Sequence, residues 1–151
     1  MRYIIATILM LFSLNASNLE ITAKNFFHKD GEKKAEFQGN VVAKEGNNLI
    51  KSDKIIIYLD KNNEAYKYEA IGKVYFEIKS SKKDVTGSCD KLIYLPTKDK
   101  YTLIGNVALH DNLNKRDVYA NMVILDNKNK TSIAKSSGKK RVKFLFKVKG
   151  K

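Results

Sequence analysis

Few side chains in this 151-residue chain are suited to chemistry, and those few are scattered. Cys89 is the only cysteine, so it has no partner for an intramolecular disulfide. It lies in the run Val85-Thr86-Gly87-Ser88-Cys89-Asp90, where a small side chain suits a strand and no histidine stands nearby in sequence to take its proton. His28 and His110, the only histidines, lie far apart without the i, i+4 or paired spacing by which imidazoles share a metal, and both read as surface residues. No nucleophile, base and orienting group recur together, and there is no nucleotide-binding glycine motif. The sequence therefore predicts no catalytic residue, no metal site and no cofactor, and it points to binding rather than turnover.

Charge narrows the kind of partner. Lys and Arg number 29 against 16 Asp and Glu, a net charge of +13, which calls for an acidic partner or else marks a solvated, lysine-rich surface. Residues 1–16 have the layout of a secretory signal peptide: Arg2, an apolar run from Tyr3 to Leu14, then small or polar residues, with cleavage expected after Ala16. The apolar run is shorter than the roughly 20 residues a membrane-spanning helix needs. An exported chain meets little nucleic acid but much phosphorylated glycolipid, so glycolipid is the favoured partner and nucleic acid is not. Lys79, Lys82 and Lys83, and again Lys135, Lys139, Lys140 and Arg141, are basic clusters able to meet phosphate.

The elements that would position these residues are strands. Residues 17–151 suit one domain. They are rich in Val, Ile, Tyr, Phe and Thr in short runs, broken by turn signals such as Glu45-Gly46-Asn47-Asn48, Asp60-Lys61-Asn62-Asn63, Asp111-Asn112-Leu113-Asn114 and Asp126-Asn127-Lys128-Asn129. This is all-β composition. A repeat underlies it: Gly39-Asn40-Val41, Gly72-Lys73-Val74 and Gly105-Asn106-Val107 open similar strands, with a weaker fourth copy at Gly138-Lys139-Lys140-Arg141-Val142, each glycine 33 residues after the last. Between them recur Ile50-Lys51-Ser52-Asp53-Lys54-Ile55, Gly87-Ser88-Cys89-Asp90-Lys91-Leu92 and Val118-Tyr119-Ala120-Asn121-Met122-Val123, with Leu19 to Lys24 as an earlier copy.

Alternation assigns the faces. Val74 and Phe76 point inward, as do Val41, Leu103, Val107 and Leu109, and on the opening strand Leu19 and Ile21. In the second strands unbroken alternation would turn Ile50 inward but would also bury Lys54 and Lys91. A bulge or reversal of facing is therefore expected near Asp53, Asp90 and Asn121, bringing Ile55, Ile57, Leu92, Tyr94, Val123 and Leu125 inside. At the C-terminal end, Val142, Phe144, Phe146 and Val148 would share one face of a strand from 142 to 148.

The order and spacing of Ser52-Asp53-Lys54, Gly72-Lys73, Val85-Thr86-Gly87, Asp90-Lys91-Leu92-Ile93-Tyr94 and Leu103-Ile104-Gly105-Asn106-Val107 closely resemble the LptA/OstA-like family, over nearly the whole of residues 17–151. The resemblance implies an open, twisted β-jellyroll whose two antiparallel sheets form a V-shaped groove for the acyl chains of lipid A. It also implies a periplasmic bridge for lipopolysaccharide or lipooligosaccharide between an inner-membrane export complex and the jellyroll domain of an outer-membrane translocon, with head-to-tail stacking of units. The inward residues named above become the groove, and the strand with Val142, Phe144, Phe146 and Val148 becomes an assembly edge that meets the opening strand of the next unit. The residues alone, without the resemblance, favour a closed sandwich core over a groove, and they leave open a basic β-sandwich binding polysaccharide or nucleic acid by charge. The membrane-anchored jellyroll of the inner complex would need a longer apolar run.

Overall fold

Apolar residues at every second position, broken by Asx and glycine turns, give hairpin after hairpin. The computed structural model describes residues 19–149, so the expected signal peptide lies outside the described residues. Six long antiparallel strands follow in chain order: β3 (Lys34–Glu45), β4 (Asn48–Leu59), β5 (Ala65–Lys79), β6 (Asp84–Leu95), β7 (Lys100–Asp111) and β8 (Arg116–Asp126). Two short strands, β1 (Leu19–Thr22) and β2 (Asn25–His28), lie end to end along β3, and two more, β9 (Thr131–Lys135) and β10 (Lys143–Phe146), lie end to end along β8. The turns close by the chemistry their residues supply. Asp60 Oδ1 accepts from the backbone N–H groups of Asn62 (2.8 Å) and Glu64 (3.0 Å), and Asp126 Oδ1 accepts from that of Asn129 (3.0 Å).

Every long strand is interrupted near its middle, along one line across the ladder. Register shifts fall between Gln38 and Val41, Ile71 and Val74, and Ile104 and Val107. There Gly39-Asn40, Gly72-Lys73 and Gly105-Asn106 adopt paired positive φ values of 85° and 46°, 84° and 48°, and 83° and 48°. Two left-handed residues in succession add a residue to the glycine-led strand and fold the ladder. Glycine is required at Gly72 and Gly105 for a second reason: a Cβ there would run into the Asp53 or Asp90 side chain.

Facing reverses across this line. On β4, Ser52 is buried, Asp53 is exposed, and Ile55 and Ile57 are buried; on β6 the inward set passes from Cys89 to Leu92, and on β8 from Ala120 to Val123. The reversal stands near Asp53, Asp90 and Asn121, but the extra residues are on the glycine-led partners. Lys91 is thereby turned to the outer face, where it and Lys67 bind Glu69 at 3.2 and 2.9 Å. Burial pushes the Glu69 carboxyl up, and hydrogen bonds from Lys67, Lys91 and Tyr58 outweigh it, holding the group below its ordinary range.

Three expectations need correction. Gly138 stands at the same bend with φ 63°, but residues 138–142 form a loop, so the fourth glycine-led strand starts only at Lys143. The C-terminal strand accordingly covers Lys143–Phe146 and leaves Val142 and Val148 outside it. His28 and His110 are both half-buried rather than simply on the surface, His28 Nδ1 lying 3.0 Å from the carbonyl of Lys34 and His110 Nδ1 2.8 Å from the Asp117 carboxylate.

The two halves of the ladder are the two sheets, and their inner faces share one core. Val41, Val74 and Val107, just past the glycine pairs, are at most 2 % exposed, as are Leu103 and, farther from the bend, Ile57. Cys89 belongs to this core. Its thiol donates to the Lys91 carbonyl at 3.3 Å, and burial pushes its pKa up to about 11, so it is a packing residue.

Candidate lipid groove

Away from the bend the halves part, and the space between them is a cavity of about 540 Å³ open to solvent. Strands β1, β3 to β6 and β8 supply Leu19, Ile21, Ala43, Ile50, Phe76, Ile78, Val85 and, across the gap, Ile55, Tyr68, Ala70, Leu92, Tyr94 and Leu125, with Tyr101 and Leu103 from β7. Of the residues expected to form a groove, Leu19, Ile21, Ile50, Ile55, Phe76, Leu92, Tyr94, Leu103 and Leu125 line this cavity. Val41, Ile57, Val74, Val107, Leu109 and Val123 lie in the packed core instead. The interior therefore has a dry, sealed part, of which Val41, Val74, Val107 and Val123 lie close to the bend, and a part that lines the open cavity.

Sequence reasoning missed Tyr68 and Tyr101. Both continue alternations it had begun, Tyr68 in phase with Val74 and Phe76 and Tyr101 in phase with Leu103. They flank Tyr94 in a ladder, with ring centroids 5.9 Å apart for Tyr68 and Tyr94 and 4.4 Å for Tyr94 and Tyr101. Burial, aided by the neighbouring tyrosine, pushes the Tyr68 and Tyr101 hydroxyls far above the ordinary tyrosine range, so this wall carries no charge.

Apart from Glu69, which borders the cavity but whose carboxylate is bound by Lys67 and Lys91, the charged lining residues cluster together. Lys82, Lys83 and Arg116 reach the cavity from the β5–β6 turn and the start of β8, and Glu45, Glu77 and Asp111 stand with them. Arg116 binds Asp111 at 2.7 Å, and Asn114 donates to the same carboxylate at 2.9 Å. Burial raises Asp111, but the bonds from Asn114 and Arg116 outweigh it and hold the carboxyl below its ordinary range. An apolar trough with a charged rim can hold hydrocarbon and leave a polar headgroup in water. No group of three or more His, Cys, Asp or Glu side chains that would hold a metal exists among the described residues.

The ends of the ladder are exposed. β1 pairs with β3 at Val42 to Glu45, and β10 pairs with β8 at Arg116 to Tyr119, so both terminate the half that carries Phe76 and Leu109. Phe144 and Phe146 on β10 are 52 % and 61 % exposed, with rings 6.0 Å apart, and Val142 and Val148 flank them, also exposed. The groove thus runs out at an apolar edge. No helix among the described residues is long and apolar enough to cross a membrane.

A family model described as "LptA/(LptD N-terminal domain) LPS transport protein" matches residues 20–138. The fold is similar to that in a crystal structure of LptH, the LptA homologous periplasmic component of the conserved lipopolysaccharide transport device from Pseudomonas aeruginosa. The TM-score is 0.74 over 88% of this chain and 97% of that one, at 16% sequence identity. No curated protein matches the sequence.

Proposed function

Because the chain belongs to the LptA/LptD N-terminal domain family of lipopolysaccharide transport proteins, we propose that it works in the periplasm, sheltering acyl chains of lipid A in the groove and bridging the inner and outer membranes. The observation that carries this reading is the open, mainly apolar cavity between the two halves, lined largely by aliphatic and uncharged tyrosine side chains. Sheltering an acyl chain gains roughly 0.8 kcal/mol per buried methylene, and the attraction has no preferred direction along the chain. A ligand held this way can advance along the trough without breaking a specific bond. The ligand is lipopolysaccharide or a shorter lipooligosaccharide, and the energy for its movement comes from a partner.

Bridging rests on the two exposed edges. β1 and β10 end the same half of the ladder, so an end-to-end contact between β10 of one unit and β1 of the next would continue both the ladder and the groove. The same edges would serve the jellyroll domains of the inner-membrane complex and the outer-membrane translocon. Lys143, Lys147 and Lys149, interleaved with the apolar residues, oppose indiscriminate pairing.

Site-specific photocrosslinking to lipopolysaccharide tests the groove. Probes at Ile21, Phe76 and Leu125 are expected to crosslink, and a probe at Tyr75, on the outer face with its hydroxyl donating to Glu77 at 2.8 Å, is not. Crosslinks at Tyr75 alone, lost as salt is raised, would favour surface-charge binding instead. For the edge, removing residues 142–151 is expected to abolish concentration-dependent assembly, and unchanged oligomer size would refute it.

A further inference from the structure

A second cavity, of about 430 Å³, lies outside the groove, where the loop joining β9 to β10 passes over β7 and β8. Ala108 and Tyr119 stand on the outer face there, opposite in phase to the inward Val107, Leu109, Val118 and Ala120. The remaining lining includes Asn121, Ser136, Lys140, Arg141 and Lys143. The volume lies within the roughly 300–1,000 Å³ of small-molecule sites, and it far exceeds the about 30 Å³ of one water.

Its chemistry is one-sided. Lys140, Arg141 and Lys143 bring three cations, and none of them pairs with a carboxylate among the described residues. Lys143 Nζ lies 5.8 Å from the centroid of the Tyr119 ring, which holds one cation over the cavity wall. The Asn121 side-chain oxygen accepts from the Ser137 N–H at 3.1 Å, leaving its amide nitrogen to donate. The Ser136 hydroxyl is enclosed and has no hydrogen-bond partner. Two carboxylates in the neighbourhood already have donors, Asp90 from Asn106 Nδ2 at 3.0 Å and Asp117 at 2.8 Å from His110 Nδ1. The cavity therefore offers many donors and little acceptor capacity, with a buried hydroxyl whose bond is unmade. That combination is costly when empty and suits an oxyanion with several acceptor oxygens.

We infer that this outer cavity is a binding site for a phosphate monoester, separate from the lipid groove. Lys140, Arg141 and Lys143 supply the charge, Ser136 and Asn121 supply neutral donors, and the space beside them admits the sugar that bears the phosphate. A phosphorylated sugar of a glycolipid headgroup and free inorganic phosphate share this chemistry.

The test is a titration of the isotope-labelled full chain, processed as it is in the cell, followed through its backbone amide resonances. The probes are inorganic phosphate, glucose 6-phosphate and glucose at matched ionic strength. Saturable shifts centred on Asn121 and residues 136–143, with none from glucose, are expected. The double substitution Lys140→Gln/Arg141→Gln removes two charge-assisted contacts at exposed loop positions and is expected to weaken binding by about tenfold or more while leaving the rest of the spectrum in place. Ser136→Ala is expected to weaken it less. Tighter binding of glucose 6-phosphate than of phosphate assigns the site to a phosphorylated glycan, and equal affinity assigns it to the free ion. Shifts spread equally over the Lys82 and Lys83 loop, or affinity unchanged by the double substitution, would overturn the proposal.

Discussion

The distinction between a sealed part and an open wall can be measured with one pair of substitutions. Ile57 is fully buried and does not line the cavity, whereas Ile50 is half-buried and does. Ile57→Ala deletes about three methylene equivalents, roughly 2.4 kcal/mol by transfer, and the cavity left in a site that cannot collapse takes the cost to about 3–4 kcal/mol. Ile50→Ala removes atoms that already face water in part and leaves no sealed void, so about 1 kcal/mol is expected. With a urea slope of about 2 kcal/mol/M, the midpoint should fall by about 1.5–2 M for the first and about 0.5 M for the second. Saturating lipopolysaccharide raises the midpoint of any variant that still binds it. Ile57→Ala should keep most of that increment, having lost stability but not lining, and Ile50→Ala should lose much of it. Equal destabilisation by the two substitutions, with equal ligand increments, would show that the wall packs as a closed core and would refute the groove.

Other consequences follow from the bend and from the buried ionisable groups. Gly105→Ala, at φ 83° and against the Asp90 side chain, should destabilise by about 2–4 kcal/mol in urea unfolding, and Asp90→Ala in the same chain should recover part of the loss; additive effects would mean that the two do not touch. The Cys89 thiol, raised from 9.0 to about 11 in the fold, ionises first in the unfolded chain. Its contribution of about 2 kcal/mol should therefore be whole below pH 9 and be lost as pH rises towards 11, a slope that Cys89→Ser would reduce in unfolding curves taken across that range. Native Cys89 should also resist thiol reagents at pH 8 until denaturant is added. Glu69, held below its ordinary range, contributes stability that is present at neutral pH and lost as pH falls through its folded value; because Lys67 and Lys91 are partly solvated, Glu69→Gln should cost only about 1–2 kcal/mol at pH 7.

Much of the groove was legible because a strand's period is two. Phe76, Ile50 and Leu92 fall on the inner face by counting alone, and the cost of burying Lys54 and Lys91 revealed that the count must change phase between them. What counting could not supply was the strand that carries the extra residue. Facing reverses on β4, β6 and β8, but the residues that cause it are Gly39-Asn40, Gly72-Lys73 and Gly105-Asn106 on the neighbours. A side chain's phase reports its own strand, whereas a register shift belongs to a pair. Counting was equally silent on depth: Ile57 and Tyr94 point to the same interior and stand in one row of the ladder through Tyr68, yet Ile57 is sealed and Tyr94 lines the opening, a difference that a strand's phase does not encode. The loop at residues 138–142 was misread as strand because its glycine keeps the repeat while the residues that follow it carry three positive charges.

The bend explains why a β protein can keep an interior open without collapsing. In a sandwich of two separate sheets, the gap closes until side chains interdigitate, because nothing but packing sets the spacing. Here each long strand continues through the fold line into both halves, so the angle between them is set by backbone at Gly39, Gly72 and Gly105 and held by the sealed residues beside it. Closing the mouth would require dihedral changes at three strands together, as well as repacking Val41, Val74 and Val107. The cost of leaving Ile21, Ile50 and Tyr94 partly in water is thus opposed by a stiff hinge rather than by the ligand, and the groove exists before anything fills it. A pre-formed trough whose attraction has no direction suits passage of a hydrocarbon chain, whereas a pocket shaped around one pose would hold it.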